Sequence, residues 1–438
     1  MSLRENWRLK AGLLIGTTLL TLITVALAGE GVVRYRERHR ATLGGTMPLL
    51  YYRHGRLGHA LVRDFDYFGW IRINRAGFRG PETAVQKTAG AVRILVVGSS
   101  TTFDPGVSGD RATWPARLQF WLNQLAPQRS VEVINAGVPG YHVIEDVIRL
   151  ETELYRFRPD VIILYEGHND LFGALRRGRE PAPPFTSTPN ETPVVTPWTH
   201  WLSRHSLLYG KLVARLQATR FLAAGQRALA RSDASAPPAD AVIDSGTVQF
   251  ERDLRAFLSV AQSLGIPVVV PELVHVSGIG ALQEPDSTIR HVWSYTVPFA
   301  RPETVLEAYA RYNAVLRRVA ASFRALLVVT DSFGLVGPSW YDVGDPIHFN
   351  DRGADRMGHC LAEALLTAKV LDSRGAADSD GHALAGRASR GLPEPVERWI
   401  GKPCLRLQRK TRALPVLATG SARLPAMPSP WISAPTTT

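Results

Sequence analysis

Five short, mainly apolar runs alternate with segments of helical periodicity, and no other feature constrains the fold of this chain so tightly. The runs are Val92–Val97, Val131–Ala136, Asp160–Tyr165, Ile266–Pro271 and Ala325–Thr330. Their length and apolar content suit strands covered on both faces. Between them, Trp114–Leu125 begins with Pro at its second position, and Val143–Phe157 sets Val143, Val147, Leu150 and Leu154 on one face. Thr247–Leu264, Pro302–Ala321 and Gly353–Val370 continue the pattern. Strand alternating with helix implies parallel pairing through right-handed crossovers. The fold class expected is therefore α/β, a three-layer α/β/α sandwich around a five-stranded parallel sheet.

A different signal precedes this body. Nineteen uncharged residues, Ala11–Gly29, lie between Lys10 and Glu30, about the length that spans a hydrocarbon core. Arg4, Arg8 and Lys10 precede the run, as in an export signal, while Arg34, Arg36, Arg38 and Arg40 follow it and blur the charge bias. Ala26-Leu27-Ala28 also fits a small-residue cleavage site. A long following domain translocates largely regardless of such charges. The expectation is a single-pass signal anchor over 11–29, a short cytoplasmic segment at 1–10 and a body outside the cytoplasm; a cleaved, secreted form is the alternative.

The formal charge of +12 would suggest a nucleic-acid partner were it spread over the body. It is not: residues 1–60 and 373–438 each carry an excess of +6, and residues 61–372 are balanced. A nucleic-acid-binding body is thereby disfavoured. Cys360 and Cys404 form no disulfide framework. Cys360, in an apolar helical pattern with Met357, Leu361 and Leu365, reads as a small buried hydrophobe; pairing with Cys404 in an oxidising compartment is the alternative.

Residues 30–89 are expected to form a juxtamembrane segment packing on the domain at 90–372. Within that domain, 173–245 reads as an insertion: it starts Pro-rich and continues as a helical stretch, Trp198–Ala230. A lid, a helix on the membrane surface and an extra helix packed on the domain are its three readings. Residues 276–301 read as another loop near the strand ends. The tail at 373–438, rich in Ala, Gly, Pro, Ser and Arg, is expected to be disordered and basic.

Four blocks follow strand ends or close the domain: Val97-Gly98-Ser99-Ser100-Thr101-Thr102, Asn135-Ala136-Gly137-Val138-Pro139-Gly140, Gly167-His168-Asn169-Asp170 and Asp345-Pro346-Ile347-His348-Phe349-Asn350. Open α/β sheets collect ligands at the carboxyl ends of their strands. Together the blocks offer a hydroxyl nucleophile (Ser100, with Ser99 the competitor), a base (His348, with His168 the rival) and an orienting carboxylate (Asp345). Oxyanion donors would be the Ser100 and Gly140 N–H groups and the Asn169 amide. Asp170 reads as a brace for its loop. No His-Glu-x-x-His, Cys-x-x-Cys, Walker loop, spaced Gly-x-Gly-x-x-Gly or Gly-x-Ser-x-Gly elbow is present.

These blocks resemble the SGNH/GDSL hydrolase superfamily, with Ser100, Gly140, Asn169 and His348 in the four named positions and Asp345 completing Asp-x-x-His. The likeness covers roughly residues 90–370. It implies a flavodoxin-like fold, no metal, no organic cofactor and serine esterase activity. One departure is that the family's Gly-Asp-Ser is Gly-Ser-Ser here. Upstream, Asn74-Arg75-Ala76-Gly77-Phe78-Arg79-Gly80 resembles a segment of membrane-anchored, exported members. The leading expectation is hydrolysis of acyl esters, such as acetyl esters, of envelope carbohydrate or lipid. An O-acyltransferase acting on extracellular polysaccharide and a non-catalytic carbohydrate-binding or assembly protein are the alternatives.

Overall fold

The computed structural model describes residues 3–39, 50–177, 194–213, 215–216, 239–276 and 300–372. The apolar N-terminal run lies in one long helix, α1 (Leu3–Arg38). Its Leu, Ile and Val side chains from Leu13 to Leu27 are exposed, as on a surface meant for lipid. Lys10–Arg38 is long and apolar enough to cross a membrane, with a mean hydropathy of 2.1 over its best window. The helix does not stop at Gly29, and its last turns are held by the body. Glu37, buried, accepts the Tyr67 hydroxyl at 2.6 Å and the Lys211 ammonium at 2.8 Å.

Two small hairpins follow. Strands β1 (Tyr51–His54) and β2 (Gly58–Leu61) pair antiparallel, as do β3 (Phe65–Tyr67) and β4 (Ile71–Ile73). The main sheet then begins with β5 (Val92–Gly98), followed by α2 (Ser100–Phe103), α3 (Trp114–Leu125), β6 (Val131–Asn135), α4 (Val143–Thr152), β7 (Val161–Tyr165) and α5 (His168–Arg177). A two-residue strand, β8 (Val194–Val195), returns to pair parallel with β1. After α6 (Pro197–His205), the chain resumes with α7 (Ala239–Ser263), β9 (Val268–Pro271), α8 (Pro302–Phe323), β10 (Leu326–Val328) and α9 (Asp351–Thr367).

All five expected strands are present and pair parallel in the order β10-β9-β7-β5-β6. Counted along the sheet, this is the flavodoxin-like order. The helices cover both faces: α3 packs with α9 on one, while α4, α5 and α8 gather around α7 on the other. With both faces covered, every residue of β7 and β9 is buried. A second, smaller core joins Leu50, Tyr51, Leu61, Tyr67, Ile71 and Ile73 to Phe103, Val138 and Tyr141. The hairpins therefore press on the loops that follow β5 and β6.

Some boundaries differ from the sequence pattern for local reasons. Helix α7 starts at Ala239 instead of Thr247, and buried Ile243 extends its apolar face. The stretch beginning at Trp198 breaks at Ser206, whose backbone is extended; its hydroxyl and the next two N–H groups turn to Glu30. Cys360 is buried, as expected, but is also disulfide-bonded. The tail at 373–438, the Pro-rich start of the insertion and nearly all of the loop at 276–301 lie outside the described residues.

Candidate active site

Strand β5 ends at Gly98, with φ at 152°. A Cβ there would lie 2.2 Å from the Tyr165 carbonyl oxygen, so only glycine lets β5 and β7 approach this closely. The chain then turns into α2. Ser99 is its N-terminal flank and Ser100 its first residue. Thr102 donates its hydroxyl to the Tyr165 carbonyl at 3.1 Å and ties the turn to β7.

The candidate base, His348, arrives on the loop before α9. Tyr341 and Phe349 bridge its ends, and Asp342 N–H donates to the His348 carbonyl at 2.9 Å. Asp345 organises the interior of the loop. Its Oδ1 accepts the Ile347 and His348 N–H groups at 2.9 and 2.8 Å, and its Oδ2 accepts His348 Nδ1–H at 2.7 Å. That leaves His348 Nε2 as the acceptor, and the Ser100 hydroxyl donates to it at 2.8 Å. All three side chains are buried. Burial would raise the Asp345 carboxyl, but the His348 ring and the two backbone donors outweigh it and hold its pKa below the usual range.

The candidate oxyanion donors Gly140 and Asn169 follow the neighbouring strands. Val138-Pro139-Gly140-Tyr141 closes a turn, Tyr141 N–H donating to the Val138 carbonyl, with φ of Gly140 at 87°. Positive φ at this third position is what a type II turn requires of glycine. Asn169, after β7, donates one amide N–H to the Tyr141 carbonyl at 2.8 Å. The amide is thus fixed against the Gly140 turn, with its second N–H still to give. Because β6 and β7 flank β5, Ser100, Gly140 and Asn169 share one end of the sheet.

The rivals sit in other surroundings. Ser99 is buried against the Glu166 carboxyl. His168 Nδ1 lies 2.8 Å from the Tyr309 hydroxyl and Nε2 lies 3.4 Å from that of Tyr165, and burial and two neighbouring histidines push its pKa well down. Asp170 faces the start of α4, where it accepts Val143 N–H at 3.4 Å; its pKa is raised to about 6 by burial, with repulsion from Glu145 and Asp253.

Several supports were invisible to motif reading. Arg79, buried, donates to the Phe103 and Asp104 carbonyls at the end of α2, both at 2.8 Å, and to Asp110 at 2.9 Å. His59 on β2 holds the Gly140 turn: its Nε2 is 2.9 Å from the Pro139 carbonyl, while the Tyr141 hydroxyl donates to the His59 carbonyl at 2.6 Å. Beneath the donors lies a group of buried carboxyls. Burial raises the pKa values of Asp146 and Glu166 well above normal, with repulsion from Glu145 and Asp170 adding at Asp146 and from Asp146 and Asp170 at Glu166. Arg79 lies in the upstream block Asn74–Gly80, and its spacing from Ser100 carries no hint of contact.

A parallel sheet of flavodoxin-like order, carrying Ser, Gly, Asn and His blocks at one end, defines an SGNH-type hydrolase. Residues 96–356 match the GDSL-like lipase/acylhydrolase family; the chain belongs to it and is an ester-hydrolysing enzyme. No curated protein matches the chain. Among solved structures, it is similar to LAE5, an alpha/beta hydrolase from the metagenome of Lake Arreo, Spain. That match has 14% identity and a TM-score of 0.37, covering 63% of this chain and 96% of the other. It is also similar to Axe2, an acetylxylan esterase from Geobacillus stearothermophilus, at 14% identity and a TM-score of 0.35, covering 64% and 95%.

Proposed function

We propose that Ser100, His348 and Asp345 form the catalytic triad of a membrane-anchored serine esterase. In this reading it removes acyl groups, acetyl among them, from carbohydrate or lipid of the cell envelope. The observation that carries the proposal is the hydrogen-bonded chain from Ser100 Oγ through His348 to Asp345. Ser100 Oγ attacks the ester carbonyl carbon while its proton passes to His348 Nε2. The carbonyl oxygen becomes an oxyanion held by the Ser100 and Gly140 N–H groups and the Asn169 amide. As the tetrahedral intermediate collapses, the C–O bond to the alcohol breaks and His348 returns the proton to the leaving oxygen. A water molecule then gives its proton to His348, attacks the acyl-serine and releases the carboxylic acid and free Ser100.

The domain assignment proposed is an anchor at 11–29, a juxtamembrane support at 30–89 and a hydrolase domain at 90–372 containing the 173–245 insertion. The length and exposure of the apolar part of α1 support the anchor. The envelope substrate follows from holding a hydrolase at a membrane surface outside the cytoplasm. The test is turnover by the full chain in detergent, with acetylated oligosaccharide and a short-chain ester in parallel. Release of free acid in water supports the esterase. Acyl transfer that occurs only when a sugar acceptor is added would replace it with an acyltransferase, and no turnover of either kind would remove the catalytic reading.

A further inference from the structure

Helix α6 carries an apolar face that the described residues leave uncovered. Trp198, Trp201 and Leu202 stand at positions i, i+3 and i+4, hence on one side of the helix. They are 76%, 53% and 38% exposed, and the two indole rings meet edge to face at 6.5 Å. Two large aromatic rings in water are a poor arrangement for a soluble surface, and together they form a patch, not scattered single residues.

The position of α6 along α1 indicates what covers them. Glu30, the first charge after the apolar run, accepts the Ser206 hydroxyl and the Leu207 and Leu208 N–H groups at 2.8–2.9 Å. Arg34 donates to the His205 carbonyl at 3.3 Å. Leu208 packs so closely on Gly29 that a Cβ there would lie 3.1 Å from its side chain. The C-terminal end of α6 is therefore fixed at the level where the lipid-facing part of α1 ends. Just beyond α6, Leu207 packs against the smaller core, which ties this segment to the body.

The other end of α1 carries a matching mark. Trp7, 68% exposed, lies 22 residues before Gly29. At 1.5 Å per residue that separation is about 33 Å, close to the roughly 30 Å of a hydrocarbon core. Tryptophan is enriched at both membrane–water boundaries, where its ring can sit among headgroups with its N–H still hydrated.

We propose that α6 lies in the headgroup region of the bilayer that α1 spans, with Trp198 and Trp201 inserted beside the anchor. The occupant of the exposed face is lipid, and α6 acts as a second, shallow contact that fixes the body against the membrane. This rests on reading α1 as membrane-spanning, and the experiment separates the two claims.

The full chain is reconstituted in phosphatidylcholine–phosphatidylglycerol vesicles containing phosphatidylcholine brominated on its acyl chains, either near the headgroup or near the bilayer centre. The emission lost in Trp198→Phe/Trp201→Phe, relative to wild type, reports the α6 pair; that lost in Trp7→Phe reports the anchor. Unchanged ester turnover in detergent certifies the fold, and the single substitutions supply the same difference should the double one misfold. The expected result is that shallow bromine removes more than half of the emission of both sets, and deep bromine removes less. Quenching of Trp7 without quenching of the α6 pair would overturn the α6 contact and leave the anchor standing. Quenching of neither would overturn both.

Discussion

Asp345→Asn tests the assignment of the orienting carboxylate with little change in shape. Asp345 makes three hydrogen bonds, and two of them, to the Ile347 and His348 N–H groups, go to a single oxygen. An asparagine carbonyl can keep both, so the loop should hold its form. The third bond changes sign: where Oδ2 now accepts His348 Nδ1–H, the amide would present N–H. The ring must then keep Nδ1 unprotonated and carry its proton on Nε2, the atom that now accepts from Ser100. A protonated Nε2 cannot take the serine proton, so the substitution removes the base without removing the histidine. In a Ser-His-Asp triad elsewhere, the same change lowers kcat about 10⁴-fold, equivalent to about 5 kcal/mol of barrier. The assay is steady-state hydrolysis of p-nitrophenyl acetate by the full chain in detergent, with thermal melting as the control for the loop. A variant that melts like wild type and retains more than a tenth of its kcat would refute the role given to Asp345.

Three further outcomes follow from the same geometry. Ser100→Ala should lose on the order of 10⁶ in kcat and all labelling by a fluorophosphonate, whereas Ser99→Ala should keep its labelling; the reverse pattern would reassign the nucleophile. Asp170→Asn should stabilise the protein at pH 7.5: a carboxyl whose folded pKa is about 6 against about 3.9 unfolded costs stability progressively as pH rises between those values and fully above them. The gain, on the order of 1–3 kcal/mol, should shrink toward pH 4, and melting curves at the two pH values decide it. Arg79→Met should lower stability by roughly 3–5 kcal/mol, because it leaves a mostly buried carboxylate, Asp110, without its cation. It should also lower turnover through α2, and unchanged melting would show that the clamp is unimportant.

The sheet was legible because its strands are covered on both faces, which leaves long apolar runs in the sequence. The proposed triad could be assembled from the sequence because Ser100, Asp345 and His348 sit in short blocks whose residue types suit the chemistry and whose order follows the strand ends. What could not be read are the long-range supports. Arg79 reaches Phe103 and Asp104, and His59 reaches Pro139 eighty positions away. A lone arginine or histidine in a loop carries no periodicity to announce such a contact. The buried carboxyls were hidden for the opposite reason. Glu145 and Asp146 occupy the first turn of α4, where acids are favoured by the helix dipole and read as solvated. Only the packing of α4 against α7 and β5 puts Asp146 out of water. The Ser99 departure also becomes intelligible: the side chain before the nucleophile is buried against Glu166, where burial raises the carboxyl's pKa, and a serine there adds no second charge.

Sequence alone divides this chain into an apolar N-terminal run, a juxtamembrane segment expected to pack on the body, and a hydrolase domain. The contacts argue for a closer dependence. Glu37 at the end of α1 takes the Tyr67 hydroxyl and the Lys211 ammonium, and Tyr67 belongs to the smaller core that also holds Phe103, Val138 and Tyr141. Phe103 closes the helix that Ser100 opens, and Val138 and Tyr141 bracket the Gly140 turn. From the same segment, Arg79 grips the end of α2 and His59 grips the Gly140 turn. Ser100's helix and the Gly140 turn are thus held from behind by residues 50–80, and those residues are held in turn by α1. Positional errors of about 1 Å in such groups can cost two orders of magnitude in rate. Helix α1 and its adjoining hairpins are therefore better regarded as part of the scaffold that supports the candidate site than as a leash for a self-sufficient domain.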